Sequence, residues 1–262
     1  MTGAHHPRVQ TLRDLIVLGD GDGGLVVACD SIGGIGPKPA DTVSTSAAIV
    51  GHFAARVPLL EVMCAGAEPV VIVNTLCVEQ DPTGREMIGA IREIAEQAGV
   101  VPEAVTGSTE ENVITQATGI GITVIGRLGP DGLRAGNARP GDVVLCAGFP
   151  RSAPHDEVYP GHPDQVAISD VRAVLGSGLV HDALPVGSKG LAWEVPQLAA
   201  SAGLAVRWRA DQPIPIDRSA GPSSCVLLAC DPADEDAVRS HFPGRLPVHA
   251  VADLVPGDDD HR

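Results

Sequence analysis

Apolar runs, each cut by glycine, proline or acidic residues, mark the elements along the chain. "DLIVLGDGDGGLVVACD" (14–30) carries two short runs around a Gly/Asp turn, which predicts a hairpin. Ser44 to Ala65 has a helical pattern, with Ser44 or Ser46 as cap, Gly66 as stop, and a kink or early break at Pro58. "EPVVIVNTLCVE" (68–79) is apolar on both faces and reads as a strand. "PTGREMIGAIREIAEQAG" (82–99) predicts an amphipathic helix that buries Met87, Ile88, Ile91, Ile94 and Ala95, with Pro82 at its start and Gly99 at its end. "GIGITVIGRL" (119–128) predicts another strand.

A turn-rich stretch, "GPDGLRAGNARPGD", then separates this α/β lobe from a second one. "VVLCAGF" opens the second lobe. Helices are expected in "DQVAISDVRAVLGSG", "GLAWEVPQLAASAG" and "DPADEDAVRSHF", and strands in "LAVRW", "SCVLLAC" and "LPVHAV". The expected division is an arm (1–13), an N-terminal domain (14–128), a hinge (129–141), a C-terminal domain (142–255) and a polar, frayed tail (256–262).

Composition narrows the picture. Aromatic residues are only 2%, so the core must be aliphatic and alanine-rich. The net charge of −15 argues against a nucleic acid backbone or an anionic membrane as partner. It still permits nucleotides, if a divalent cation bridges carboxylates to phosphates. The only two lysines, Lys38 and Lys189, both stand near glycines. The six cysteines have no C-x-x-C spacing and mostly sit in apolar runs, which suits free thiols in a reducing compartment. The N-terminus has no apolar leader, and no run reaches the roughly 18 apolar residues of a membrane helix. A cytoplasmic protein is expected.

Candidate chemistry lies where apolar elements end. In "VACDSIGGIGPKPAD" (27–41), Asp30 ends a strand, Gly33, Gly34 and Gly36 follow, and Lys38 and Asp41 close the segment. Glycines let backbone N–H groups approach a phosphate, and carboxylates suit magnesium. Asp30 and Asp41 fit turn formation equally well, Glu61 fits a solvated helix face, and Glu110 and Glu111 of "VTGSTEEN" fit exposed loop charges. Gly19, Gly21 and Gly24 match G-x-G-x-x-G, but a strand follows them where a dinucleotide site needs a helix. There is no G-x-x-x-x-G-K-[ST] loop and no G-x-S-x-G elbow. "HDEVYPGH" (155–162) lies in a Pro/Gly-rich loop without zinc spacing.

Taken in order, six segments resemble the aminoimidazole ribonucleotide synthetase (PurM-like) superfamily: "VACDSIGGIGPKPAD", "LLEVMCAGAEPVVIV", "GREMIGAIREIAEQAGV", "AVTGSTEENVITQATGIGITVIG", "ARPGDVVLCAG" and "HDALPVGSKGLAWEVPQLAASAGLAV". "TGSTEEN" and "SAGPSSCVLLA" are most similar to its alpha-ribazole kinase branch. The resemblance implies an α+β fold: a PurM-like N-terminal domain whose mixed sheet pairs two copies into a homodimer, and a shortened PurM-like C-terminal domain that closes over a small-molecule acceptor. It implies ATP and Mg²⁺ as cofactors. Asp30 and Asp41 match metal-binding aspartates; Glu61 replaces the usual aspartate; Glu110, or Glu111, stands for the acid of the second ligand loop, where Ser108 departs from the pattern. Lys38 matches a lysine near the phosphates. Gly33, Gly34, Gly36, Thr106, Gly107, Lys189 and Gly190 are expected against the nucleotide, and Asp182 and Lys189 near the acceptor. The activity implied is ATP-dependent phosphoryl transfer to a small-molecule hydroxyl, with that of alpha-ribazole in cobalamin lower-ligand salvage as the candidate acceptor and Asp30, Glu110 and Lys38 as the catalytic groups. Amide-oxygen activation of the synthetase type and non-catalytic nucleotide sensing are the alternatives.

Overall fold

The computed structural model describes residues 8–19 and 23–257. The first half builds a six-stranded sheet. β1 (Val9–Leu12) and β2 (Leu15–Leu18) form a tight hairpin, and β2 pairs antiparallel with β3 (Leu25–Gly33), Ile16 facing Val27. β3 directly follows Gly24, so the G-x-G-x-x-G match opens no helix; its Gly21 lies outside the described residues. The short strands β4 (Ile35–Gly36) and β5 (Val43–Ser44) pair parallel and close the glycine-rich loop.

α1 (Ala47–Cys64) starts at Ser46, whose Oγ accepts from the Ile49 N–H at 3.3 Å. It runs unbroken through Pro58, against the expected interruption. Proline removes one helical donor, that of residue 58, and burial of Ala54, Leu59 and Leu60 in the core outweighs that loss. Gly66, at φ +95°, ends the turn after α1; a Cβ there would lie 2.7 Å from the Arg134 nitrogen.

β6 (Ala67–Leu76), α2 (Arg85–Gln97), β7 (Val105–Ser108) and β8 (Gly119–Leu128) complete this half. The sheet order is β1-β2-β3-β8-β6-β7, antiparallel except for the β6–β7 pair. α2 buries Met87, Ala90, Ile91, Ile94 and Ala95; Ile88, expected in that stripe, is half-buried at its edge. α2 packs against α1 where Gly51 leaves room, a Cβ there falling 2.5 Å from the Met87 carbonyl oxygen.

The second half is an antiparallel sheet of order β10-β12-β9-β13-β11. Its elements are β9 (Val143–Ala147), α3 (Ile168–Leu175), β10 (Val180–Pro185), α4 (Leu191–Ser201), β11 (Leu204–Trp208), β12 (Val226–Cys230), α5 (Glu235–Arg239) and β13 (Val248–Pro256). β9 and β12 are buried at every position, which is why both read as continuous apolar runs. β1, β7 and β10 were not expected as strands, and β13 outruns the expected "LPVHAV". Of the expected arm and tail, residues 1–7 and 258–262 lie outside the described residues, while 9–12 belong to the sheet.

The two halves share one core, which runs from Leu59 and Ile91 to Val143 and Leu228. α1 is the axis of this contact. It is long and apolar enough to cross a membrane, but 72% of that apolar stretch is buried within the protein. Its Arg56 is buried and donates to the Ser223 carbonyl at 3.0 Å and the Val166 carbonyl at 2.5 Å, tying the halves together. The β1–β2 turn makes a second tie: Arg13 donates to Asp182 Oδ2 at 2.6 Å and to the Ala183 carbonyl at 3.0 Å. This is an α+β protein with a mixed sheet in its first half.

Candidate functional site

A cavity of about 830 Å³ opens between the two halves. β3 brings Asp30 and Gly33 to it, the last turn of α1 brings Glu61, and the Arg13 clamp sets Asp14 at its edge. From the second half, the turn before α4 contributes Lys189, and α4 itself contributes Trp193, Glu194 and Gln197. A site between domains, concave and mixed in polarity, is where small ligands usually bind.

Asp156 in this cavity is paired with Arg218 and Arg151, but Glu61 is short of partners. Glu61 Oε2 is buried and has no hydrogen-bond partner. Burial, reinforced by the charges of Asp30, Asp14 and Glu194, pushes the Glu61 carboxyl up to about 8. Burial raises Glu194 to about 7, against the opposing N–H of Gly187. Burial raises Asp30 as well, partly offset by the N–H of Ser31. Asp30 and Glu61 form no salt bridge among the described residues, and an orphaned carboxylate oxygen beside a second carboxylate suits a hard divalent ion such as magnesium. Asp30 and Glu61 therefore fit the implied metal by donor type and by their unmet charge. Among the described residues, no group of three or more His, Cys, Asp or Glu side chains is placed to hold a metal ion. A full protein cage is not needed, since magnesium usually keeps waters and substrate phosphates in its shell.

The other expected ligands lie elsewhere. Lys38 turns into a separate recess of about 300 Å³ with Glu79, Glu110 and Glu111. Its ammonium pairs with Glu79, which also accepts from Thr83 Oγ1 at 2.5 Å. Burial acts to raise the Glu79 carboxyl, but the hydrogen bonds from Lys38 and Thr83 outweigh it and hold it near about 2. Glu110 Oε1 accepts from the Asn112 N–H at 2.7 Å, and Glu111 Oε1 from the Gln80 N–H at 2.5 Å.

Asp41 does not join Asp30. It accepts from the Thr118 N–H at 2.7 Å, from Thr118 Oγ1 at 2.6 Å and from the Lys38 N–H at 2.8 Å. Burial works against its ionisation, but these bonds prevail and hold it below the usual carboxylate range. Asp41 thus pins the glycine-rich loop to the segment before β8. The same packing accounts for Gly36, at φ +153°, where a Cβ would fall 2.3 Å from Thr118 Oγ1. Of the three carboxylates expected to hold metals, Asp30 lines the inter-lobe cavity, Asp41 is bonded to Thr118, and Glu110 lines the Lys38 recess.

Of the remaining expected residues, Gly33 faces the cavity with open space where its Cβ would be, while Gly34 bonds its N–H to the Thr118 carbonyl at 2.9 Å. Thr106 and Gly107 lie on β7; Gly107 is there so that the chain can pass Asn74, since a Cβ would fall 1.9 Å from the Asn74 carbonyl oxygen. Gly190 starts α4 and packs on the Ile216 and Arg218 carbonyls. Lys189 reaches the cavity, its Nζ 3.8 Å from the centre of the Trp193 ring. Asp182, expected near the acceptor, is wholly buried on β10 and saturated by Arg13 and the N–H groups of Gly136 and Ala183. Its role is to clamp the halves together.

Asp14, Glu79, Trp193 and Glu194 were missed. Glu194 and Trp193 directly follow the "GSKG" turn, so their place at a helix start was a usable signal. Glu79 gave none, because its partner Lys38 is 41 residues away in the chain.

Comparison with known proteins places this architecture. Residues 12–128 match the family described as AIR synthase related protein, N-terminal domain. No curated protein matches the chain. Among solved structures, thiamine-monophosphate kinase from Stenotrophomonas maltophilia K279a superposes with a TM-score of 0.62 at 16% identity, covering 97% of this chain and 90% of that one. HypE of E. coli, a hydrogenase maturation protein, gives 0.64 at 14% identity over 89% and 80%. PurL of T. maritima, in complex with ATP, gives 0.63 at 18% identity over 95% of this chain and 42% of its own. The first half of the chain is thus similar to that N-terminal domain, and the whole chain shares its fold with these solved structures.

Proposed function

We propose that the chain is an ATP- and magnesium-dependent phosphotransferase acting on a small-molecule hydroxyl. The observation that carries this reading is the pairing of Asp30 with the orphaned Glu61 carboxylate in a cavity shared by both halves. PurL, which shares the fold, was crystallised with ATP, and thiamine-monophosphate kinase shares it over most of both chains. Asp30 and Glu61 would hold magnesium, which neutralises phosphate charge when bound. Gly33 leaves its backbone open to a phosphate. Lys38, freed from Glu79, and Lys189 would meet phosphate oxygens, with Glu110 and Glu111 at the rim of the Lys38 recess. Such chemistry needs positioning and charge neutralisation more than covalent participation. The unit 14–128 would carry the nucleotide and 142–255 would close over the acceptor.

A second copy would pair across the outer face of the first sheet. There Ile16, Val27, Val73 and Ile125 remain half-exposed while α1 and α2 cover the opposite face. Val27→Glu is expected to convert a dimer to a monomer in light scattering. The composition and free thiols suit a cytoplasmic enzyme.

The test is calorimetry of ATP with and without Mg²⁺, followed by a screen of acceptors, alpha-ribazole included, with labelled ATP. Magnesium-dependent binding and a stable phosphorylated product support the kinase. Product-free ATP consumption with ring closure or loss of water points to the synthetase type. No magnesium-dependent ATP binding overturns the proposal.

A further inference from the structure

The wall of the cavity formed by α4 has a chemistry of its own. The chain has six aromatic residues other than histidine, and two of them, Phe53 and Trp193, line this cavity. Trp193 is 47% exposed, an unusual state for so large an apolar ring unless a ligand covers it. Trp193 and Gln197 stand four residues apart on α4 and share a face, with Glu194 beside them. Glu194 stands in the first turn of α4 with its Oε1 close to Gly187, and it forms no salt bridge among the described residues. The Trp193 ring already carries a cation, the Lys189 ammonium at 3.8 Å.

We propose that Trp193, Glu194 and Gln197 form the acceptor subsite, and that the acceptor presents a flat, positively charged or N–H-donating nitrogen heterocycle. The ring stacks on Trp193 in the place now taken by the Lys189 ammonium. Its cationic or donating edge faces Glu194, and Gln197 bonds a polar substituent. The displaced Lys189 is then free to turn towards phosphate. An anionic ring is disfavoured, because Asp14, Asp30 and Glu194 share this space. The assignment rests on the reading of the cavity as the acceptor site of a phosphotransferase.

One ring in three charge states tests it: 1-methylnicotinamide (cationic), nicotinamide (neutral) and nicotinate (anionic), titrated against the full chain by tryptophan fluorescence. The chain has two tryptophans, so Trp208→Phe leaves Trp193 as the sole reporter. The expected result is saturable quenching, with the cation bound at least about tenfold tighter than the anion and the neutral ring between them. Trp193→Leu should abolish binding measured by calorimetry, with its melting curve showing that it folds. Glu194→Gln should keep the stacking but bring the cation-to-anion ratio towards one. Nicotinate binding as tightly as 1-methylnicotinamide, no binding of any probe, or binding that survives Trp193→Leu overturns the subsite. MgATP calorimetry on the unmodified chain separates the two readings: ATP binding without any ring binding removes only the subsite, whereas ring binding without ATP binding removes the phosphotransferase reading.

Discussion

The inter-lobe cavity and the Lys38 recess hold the same kinds of residue in opposite states. In the cavity, Glu61 and Glu194 are half-buried and form no salt bridge among the described residues, and burial lifts them to about 8 and about 7. In the recess, Glu79 is matched to Lys38 and Thr83 and is held near about 2. What differs is desolvation with little compensation at Glu61 and Glu194 against hydrogen bonding that outweighs it at Glu79. A self-neutralised recess needs no ligand to be stable. The cavity carries an electrostatic cost that a bound cation would relieve, and that difference is why the proposed site is placed there.

The largest effect should come from removing the negative charge at the cavity. Asp30→Asn is expected to weaken Mg²⁺-dependent ATP binding by about 100-fold or more, read by calorimetry. Unchanged affinity would shift the metal site towards the recess and reverse the comparison. Next is the buried carboxylate that does have a partner. Asp182→Ala strands Arg13 between the halves and should cost about 3–5 kcal/mol in urea unfolding. A loss below about 1 kcal/mol would mean that the clamp is dispensable.

The pH dependence follows from the unpartnered groups. The ordinary value for Glu61 is 4.5 and its folded value is about 8, so across that window the folded state keeps a proton that the unfolded state has lost. Stability from this group is fully present below the ordinary value and is lost as pH rises through about 8. Without Mg²⁺, the melting temperature should fall from pH 5 to pH 9, by the equivalent of about 2 kcal/mol. Glu61→Gln should flatten that slope, and Mg²⁺ should oppose it. A flat profile in the unmodified protein would show that the cavity carboxylates are not strained.

The smallest effect belongs to the recess. Glu79→Gln should change stability by no more than about 1 kcal/mol, because the pair is partly exposed. By releasing Lys38, it should tighten MgATP about two- to threefold. A large loss of affinity instead would make Glu79 a ligand of the metal and join the two regions into one site.

Much of the fold was legible in the chain because hydrophobic periodicity reports burial directly. α2 declared itself by its stripe and capping glycine, and β9 and β12 by unbroken apolar runs. β10 was not legible, since "VHDALP" sets an aspartate inside a strand, and only the distant Arg13 makes that aspartate tolerable there. Pro58 misled for a related reason: the local rule predicts a break, and burial on all sides overrides it.

The sequence by itself determined the order of elements, the superfamily resemblance and the acidic, aliphatic character, because these depend on residues near each other in the chain. Which carboxylates share a space was decided by tertiary structure alone. Asp30 and Glu61 lie 31 positions apart in sequence and meet only because β3 packs under α1. Asp41, close to Asp30 in sequence, is drawn away by Thr118. Lys38 is drawn away by Glu79, and Glu194 enters from the second half. Charge state follows from these neighbours and from the water they exclude, so the site could be located only once the chain was folded.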